Sequence, residues 1–227
     1  MESNSYITVP AHVVILGAVP LLAAILAAVQ RRLSPEFKGL RVGFAVVLLL
    51  DVIWWYGYLA FHGQLTFPEN LPLELCDATL CIMIIALFTL KPVVFDVAYY
   101  YAVAGTSMAL LTPDLWEAFP SLSTVQFFIA HGLVVTGALY LVWSKQARPR
   151  AGSVGRALLA GNIFAAIVGI FDWLFRTNYM YLRAKPESAS LLNFLGPWPW
   201  YILATEGVAL GLFLLLYLPF RSSSATR

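Results

Sequence analysis

The sequence predicts an all-α, polytopic membrane bundle of about seven transmembrane helices, N-terminus out and C-terminus in. Three observations predict it. Of the 227 residues, 60% are hydrophobic and 11% are charged, and mean hydropathy is +0.79. A water-soluble domain of that length could not cover so much apolar surface. The apolar residues also gather into runs of roughly 20, the length of helix that crosses a bilayer. Finally, basic residues crowd into alternate connections, which sets orientation.

The runs fall at about 11–30, 42–61, 71–90, 93–111, 124–143, 154–175 and 197–219, with ends open to a few residues. The first follows MESNSYITVP, which has Glu2 and no Lys or Arg. That is not the basic start of a cleavable signal, so the first helix is expected to stay in the mature protein. The second carries Asp51 on one face with Trp55 and Tyr58. The third opens with NLPLELCDATLC at 70–81, where Asn70 is the expected cap and Pro72 suits a first turn. It meets the fourth at Lys91-Pro92, where proline ends one helix and begins the next. The fifth contains His131 and the sixth Asn162 and Asp172. The seventh holds Glu206 and a GxxxG, Gly207 and Gly211, which predicts close helix packing. With no repeat and no low-complexity tract, residues 1–227 read as a single integral membrane domain.

One set of connections collects Arg31, Arg32, Lys38, Arg41, Lys91, Lys145, Arg148, Arg150, Arg156, Arg221 and Arg227; the opposite set has only Arg176, Arg183 and Lys185. This bias puts the first set in the cytoplasm. The longest outer connection, 178–201, carries Trp198, Trp200 and Tyr201, an aromatic belt at headgroup level. Ser188 is placed to cap a short interfacial helix through Leu195. A net charge of +2, with the basic residues at helix ends and not in one patch, does not suggest a nucleic-acid surface. Cys76 and Cys81, five apart on one helix, point too far apart for a disulfide.

Ionisable groups inside a membrane face a bundle interior or a wet cavity. The set is Asp51, Glu74, Asp77, Asp96, His131, Asp172 and Glu206, with neutral Asn162. Most of it falls in the outer half, which is the main sign of a site. Asp51, Asp96, Asp172 and Glu206 serve equally well as ordinary interhelical hydrogen-bonding residues. No His/carboxylate pair has the i, i+4 spacing of a metal site. A membrane cysteine is most often a small apolar filler. A nucleophilic Cys76 would need a base, and His131 is the buried histidine at similar depth. Helical spacing sets Glu74, Asp77 and Cys81 on one stripe and Cys76 on another face, leaving open which thiol meets the acids.

LPLELC at 71–76, GTSMALLTPDL at 105–115, FFIAHG at 127–132, and NYMYLRAKP with SLLNFLGPWPWYIL at 178–203 resemble the YwaF-like integral membrane family, which includes bacterial YwaF proteins and animal transmembrane protein 164. The resemblance implies a multi-pass protein, here of a bacterial plasma membrane. Its animal branch implies a lipid acyltransferase in which a cysteine takes an acyl chain from a phospholipid and a histidine assists transfer to a lysophospholipid. Carried over, these are Cys76 and His131, with no cofactor; the lipid itself is donor. The bacterial form of the motif often reads LPLHLC, so Glu74 stands where a histidine is common. Glu74 or Asp77 would orient the imidazole, and Asn162 or Asn178 would donate to the oxyanion. The competing expectation is a small carrier or lipid-binding protein whose carboxylates, among them Asp77 and Glu206, relay protons or bind a cation.

Overall fold

A computed structural model describes residues 7–33, 37–115, 117–186 and 191–224 of the protein. Seven helices cross between two surfaces: α1 (Val9–Arg32), α2 (Gly39–Phe61), α3 (Leu75–Thr89), α4 (Pro92–Leu111), α5 (Leu122–Trp143), α6 (Ser153–Phe175) and α7 (Trp200–Tyr217). Six are long and apolar enough to span a membrane, and α3 is apolar but shorter. No strand occurs among the described residues. The chain is a multi-pass membrane protein.

End-to-end pairings establish the up–down order. Descending α1 meets α5 from His12 beside Phe128 to Gln30 bonded to Tyr140. Ascending α2 pairs Arg41 with the Leu87 carbonyl at one end of α3 and Tyr56 with Asp77 at the other. So α3 runs from surface to surface although its 15 residues span only about 22 Å. The surface with Arg31, Arg41, Lys91 and Lys145 is termed inner, after its basic residues.

Local chemistry explains the breaks. Leu90 turns left-handed (φ 51°) after α3, and Pro92 opens α4 with its preset φ. Ser121 caps α5 by accepting from the Thr124 N–H at 3.3 Å. Gly152 (φ 75°) supplies the left-handed turn before α6. Within α4, residues Tyr101–Thr106 form a π-helical stretch. The core lies where α2, α3 and α5 meet, with Leu48, Met83, Leu87, Ala138 and Leu141 all fully buried.

Four expectations change. The third helix begins at Leu75, not near 71, and Glu74 rather than Asn70 is its cap; Asn70 instead donates to the Gln64 carbonyl at 2.9 Å. Glu74 therefore has extended backbone (ψ 152°) and leaves the helical stripe, of which Asp77 and Cys81 remain. Gly207 and Gly211 have nothing within 4 Å of where a Cβ would stand, so the GxxxG packs no helix among the described residues. Ser188 lies outside the described residues; after it comes a short 3-10 turn, Leu191–Phe194.

Candidate functional site

Two loops roof the outer end of α3: residues 62–74, which lead into it, and residues 176–186, which leave α6. Tyr179 joins them, its hydroxyl donating to the Pro68 carbonyl and accepting from the Leu71 N–H, both at 2.8 Å. Asp172, in the last turn of α6, holds the second loop by accepting from Thr177 Oγ1 at 2.7 Å and the Tyr179 N–H at 3.0 Å. The loop then turns left-handed at Met180 (φ 53°) and Tyr181 (φ 55°), a conformation that non-glycine residues keep only when fixed from outside. Here Glu74 Oε2 accepts the Met180 N–H at 3.0 Å, and the Tyr201 hydroxyl donates to the Tyr181 carbonyl.

Cys76 lies below this roof in the first turn of α3, half-buried. Its electrostatic neighbours are Asp77, Glu74 and the Tyr181 hydroxyl. Asp77 accepts from the Tyr56 hydroxyl at 2.8 Å and from the Glu74 N–H at 3.2 Å. Cys81 is exposed, five residues further along, near Asp77 and Tyr56. The structure thus sets Cys76, not Cys81, among the roof residues. A recess of about 220 Å³ between the two loops is lined by Glu69, Glu74, Thr177, Asn178 and Tyr179.

The site gathers the carboxylates of Glu74, Asp77 and Asp172. Arg183 Nη1 donates to the backbone carbonyls of Asp172 at 3.3 Å and Thr177 at 3.2 Å, and no ion pair among the described residues joins it to these acids. Burial lifts the Glu74 carboxyl to about 7; the Met180 N–H pulls it back in part, and Asp77 and Asp172 push it up again. Glu74 keeps an open face to the recess, so solvent screens part of this effect. A carboxyl half-ionised near neutrality is suited to proton transfer. Burial, then Asp114 and Glu74, lift the Tyr181 phenol to about 12, which keeps it a hydrogen donor at neutral pH. Asp172 is fully buried, and its Oδ2 has no hydrogen-bond partner.

His131 sits on α5, its ring stacked on Phe127 with centroids 4.0 Å apart. Nδ1 lies 2.8 Å from the Phe127 carbonyl. A carbonyl only accepts, so Nδ1 carries the proton and Nε2 the lone pair. Helices α3 and α5 descend side by side, with Gly137 set between Met83 and Leu87. Counting back along each helix puts His131 about 5 Å, nearly one turn, deeper than Cys76. No hydrogen bond joins the two.

The remaining expected residues scatter. The Asn178 amide is committed to its own loop: Nδ2 donates to the Ala184 carbonyl and Oδ1 accepts from the Arg183 and Ala184 N–H groups, at 2.9 to 3.0 Å. Asn162 donates to Glu206 Oε2 at 3.1 Å, joining α6 to α7, about 15 Å along α6 from Asp172. Asp51 accepts from Gln126 at 3.3 Å, while Trp55 and Tyr58 stack at 5.9 Å. No group of three His, Cys, Asp or Glu able to hold a metal occurs among the described residues.

Sequence reasoning missed Tyr56, Thr177, Tyr179 and Tyr181. The last two lie in the NYMYL run, whose phenols two apart in an outer loop are the one available signal.

A model of the TMEM164 family matches residues 3–217. An "Uncharacterized protein" of Treponema pallidum (strain Nichols) is 27% identical over 187 residues, covering 82% of this chain and 76% of its own. No solved structure matches.

Proposed function

Because the chain belongs to the TMEM164 family, we propose that it transfers acyl chains between lipids at the outer layer of a bacterial plasma membrane. Cys76 is the nucleophile and His131 the general base. The observation that supports this reading is the tautomer of His131. Its Nδ1 proton is held by the Phe127 carbonyl, which leaves Nε2 with the lone pair a general base needs, on a helix beside the one that carries the half-buried Cys76.

The imidazole Nε2 takes the Cys76 proton, and sulfur attacks the ester carbonyl of a membrane phospholipid. The tetrahedral intermediate collapses to a thioester. The departing glycerol oxygen takes the proton from the imidazolium, releasing a lysophospholipid. In the second half, Nε2 takes the hydroxyl proton of an acceptor lysophospholipid. The oxygen attacks the thioester, the new ester forms, and the proton returns to sulfur. No cofactor takes part. Catalytic hydrogen bonds often tighten only in the substrate complex, and the reading requires the thiol and Nε2 to close on each other when lipid binds. The Tyr181 phenol, near Cys76 and protonated at neutral pH, would supply the oxyanion donor by swinging its hydroxyl away from Asp114 Oδ2, to which it donates at 3.4 Å. Glu74, near neutrality, is a second acid–base group two residues from the thiol.

The test supplies purified protein with a labelled phospholipid and a lysolipid acceptor. Cys76→Ala should lose both transfer and the hydroxylamine-sensitive acyl-protein adduct. His131→Ala should slow both by about 10²–10⁴-fold. A Cys76→Ala protein that transfers as well as wild type would remove the nucleophile assignment. The competing carrier reading draws on the partnerless Asp172 Oδ2. It gains if vesicle uptake depends on Asp172 or Asp77 and ignores Cys76.

A further inference from the structure

At the opposite end of the bundle, a cavity of about 410 Å³ opens between the last turn of α1, the start of α2, the end of α3 and the turn after α5. Four cations line it: Arg31, Lys38, Arg41 and Lys145. No lining residue is a carboxylate; Glu36, the nearest acid in the sequence, lies outside the described residues. From this cavity we infer a binding site for the phosphate of an anionic phospholipid in the inner leaflet, a site separate from the proposed acyl transfer and independent of it.

An excess of inner-surface cations follows from orientation alone, so the charge count by itself carries nothing. Arg41 is different. Only 4% exposed, it lines the cavity, and its Nη1 donates to the neutral Leu87 carbonyl. A buried guanidinium ordinarily meets a carboxylate. Both ion pairs among the described residues belong to Asp96, which engages Arg150 and Arg156. Arg31 likewise donates to a neutral acceptor, the Trp143 carbonyl. The protein therefore gives two inner arginines, Arg150 and Arg156, one shared acid, whereas the cations that line the cavity have no ion pair among the described residues.

The wall is also held in place. Gln146 Nε2 donates to the Tyr140 hydroxyl at 3.0 Å, which donates to Gln30 Oε1 at 2.9 Å, while Gln30 Nε2 donates to the Phe37 carbonyl at 3.2 Å. This chain ties α1, the entry to α2 and the turn after α5 into one frame. Its volume lies in the range of small-molecule sites. Leu33 and Phe37, 37% and 47% exposed, give the cavity an apolar margin where acyl chains would continue into the bilayer. Basic pockets between helices at the cytoplasmic side suit phospholipid headgroups.

The experiment measures binding of dioctanoyl phosphatidylglycerol and dioctanoyl phosphatidylcholine to the purified full-length protein, with glycerol 3-phosphate as a soluble competitor. Arg41 is buried, so its replacement risks the fold; Lys38→Gln with Lys145→Gln removes two exposed cations instead. Phosphatidylglycerol should bind wild type about tenfold more tightly than phosphatidylcholine, and the double variant should lose that preference. Arg148→Gln, an exposed inner cation outside the cavity, should keep affinity within about twofold. Full displacement by glycerol 3-phosphate would assign the same phosphate site to soluble phosphate esters; no displacement assigns it to the lipid. Equal affinity for the two lipids, or equal losses in Arg148→Gln and the double variant, overturns the inference.

Discussion

Asp96 and Asp172 are both fully buried aspartates in membrane helices, and the protein treats them in opposite ways. Asp96, near the inner end of α4, accepts from the Arg150 N–H and Nε at 3.0 Å, from Arg150 Nη2 at 2.6 Å and from Arg156 Nε at 3.0 Å. Two guanidiniums offset one carboxylate, and the turn between α5 and α6 is pinned to α4. Asp172, near the outer end of α6, receives only a hydroxyl and an N–H, both on Oδ1, and Oδ2 has nothing. Partly satisfied buried carboxylates are costly, and they persist where a site uses them. The inner aspartate is scaffold. The outer one acts on Glu74, which with Asp77 neighbours the Cys76 thiol.

The largest effect expected from this contrast is at the inner end. Asp96→Asn leaves two arginines facing a neutral amide. Because Arg150 and Arg156 are 42% and 35% exposed, water takes up part of the loss. The cost should be about 2–3 kcal/mol, below the range for a fully buried pair. Denaturant unfolding in mixed micelles measures it. A loss indistinguishable from zero would break the distinction between the two ends.

The second expectation has a different outcome for the same substitution. In Asp172→Asn the amide oxygen can keep both bonds made by Oδ1, and the partnerless Oδ2 is replaced by a neutral amide nitrogen. Stability should change by less than about 1 kcal/mol in either direction. Acyl transfer should fall, because the charge that helps hold Glu74 near neutrality is gone. If Asp172→Asn destabilises as much as Asp96→Asn, the outer aspartate is scaffold as well.

The sequence made one level of this legible and not the next. The seven runs of apolar residues correspond to helices among the described residues, six of them long enough to span, because lipid imposes length and composition on each segment by itself. The outer polar cluster was also readable, since charge in a span is rare whatever its partners. The pairings were not. Asp96 meets Arg150 and Arg156 across 54 and 60 positions, and Tyr179 reaches Leu71 across 108. No local period encodes such separations. The same limit explains the start of α3. Leu71 and Leu73 are apolar enough to extend the helix, but Tyr179 claims the Leu71 N–H and the Pro68 carbonyl for the roof. The GxxxG failed for a related reason, since two glycines state what a face permits and not what occupies it.

The smallest effect concerns Glu74, and its sign follows from linkage. The carboxyl rises from 4.5 to about 7 on folding, so the folded protein binds a proton more tightly than the unfolded chain. Whatever stability this provides is complete below pH 4.5 and is lost as pH climbs through 7. Glu74→Gln fixes the neutral form and should flatten the decline between those values, while keeping an acceptor for the Met180 N–H. Melting temperatures of wild type and variant, followed across the window, should diverge as pH rises, with the variant higher at the alkaline end. The opposite slope would mean that Glu74 is held ionised by a cation in the recess. An Asp172→Asn background sharpens the reading: removing one of the two neighbouring charges should move the wild-type inflection toward lower pH, whereas Asp96→Asn, at the far end of the bundle, should leave it where it was.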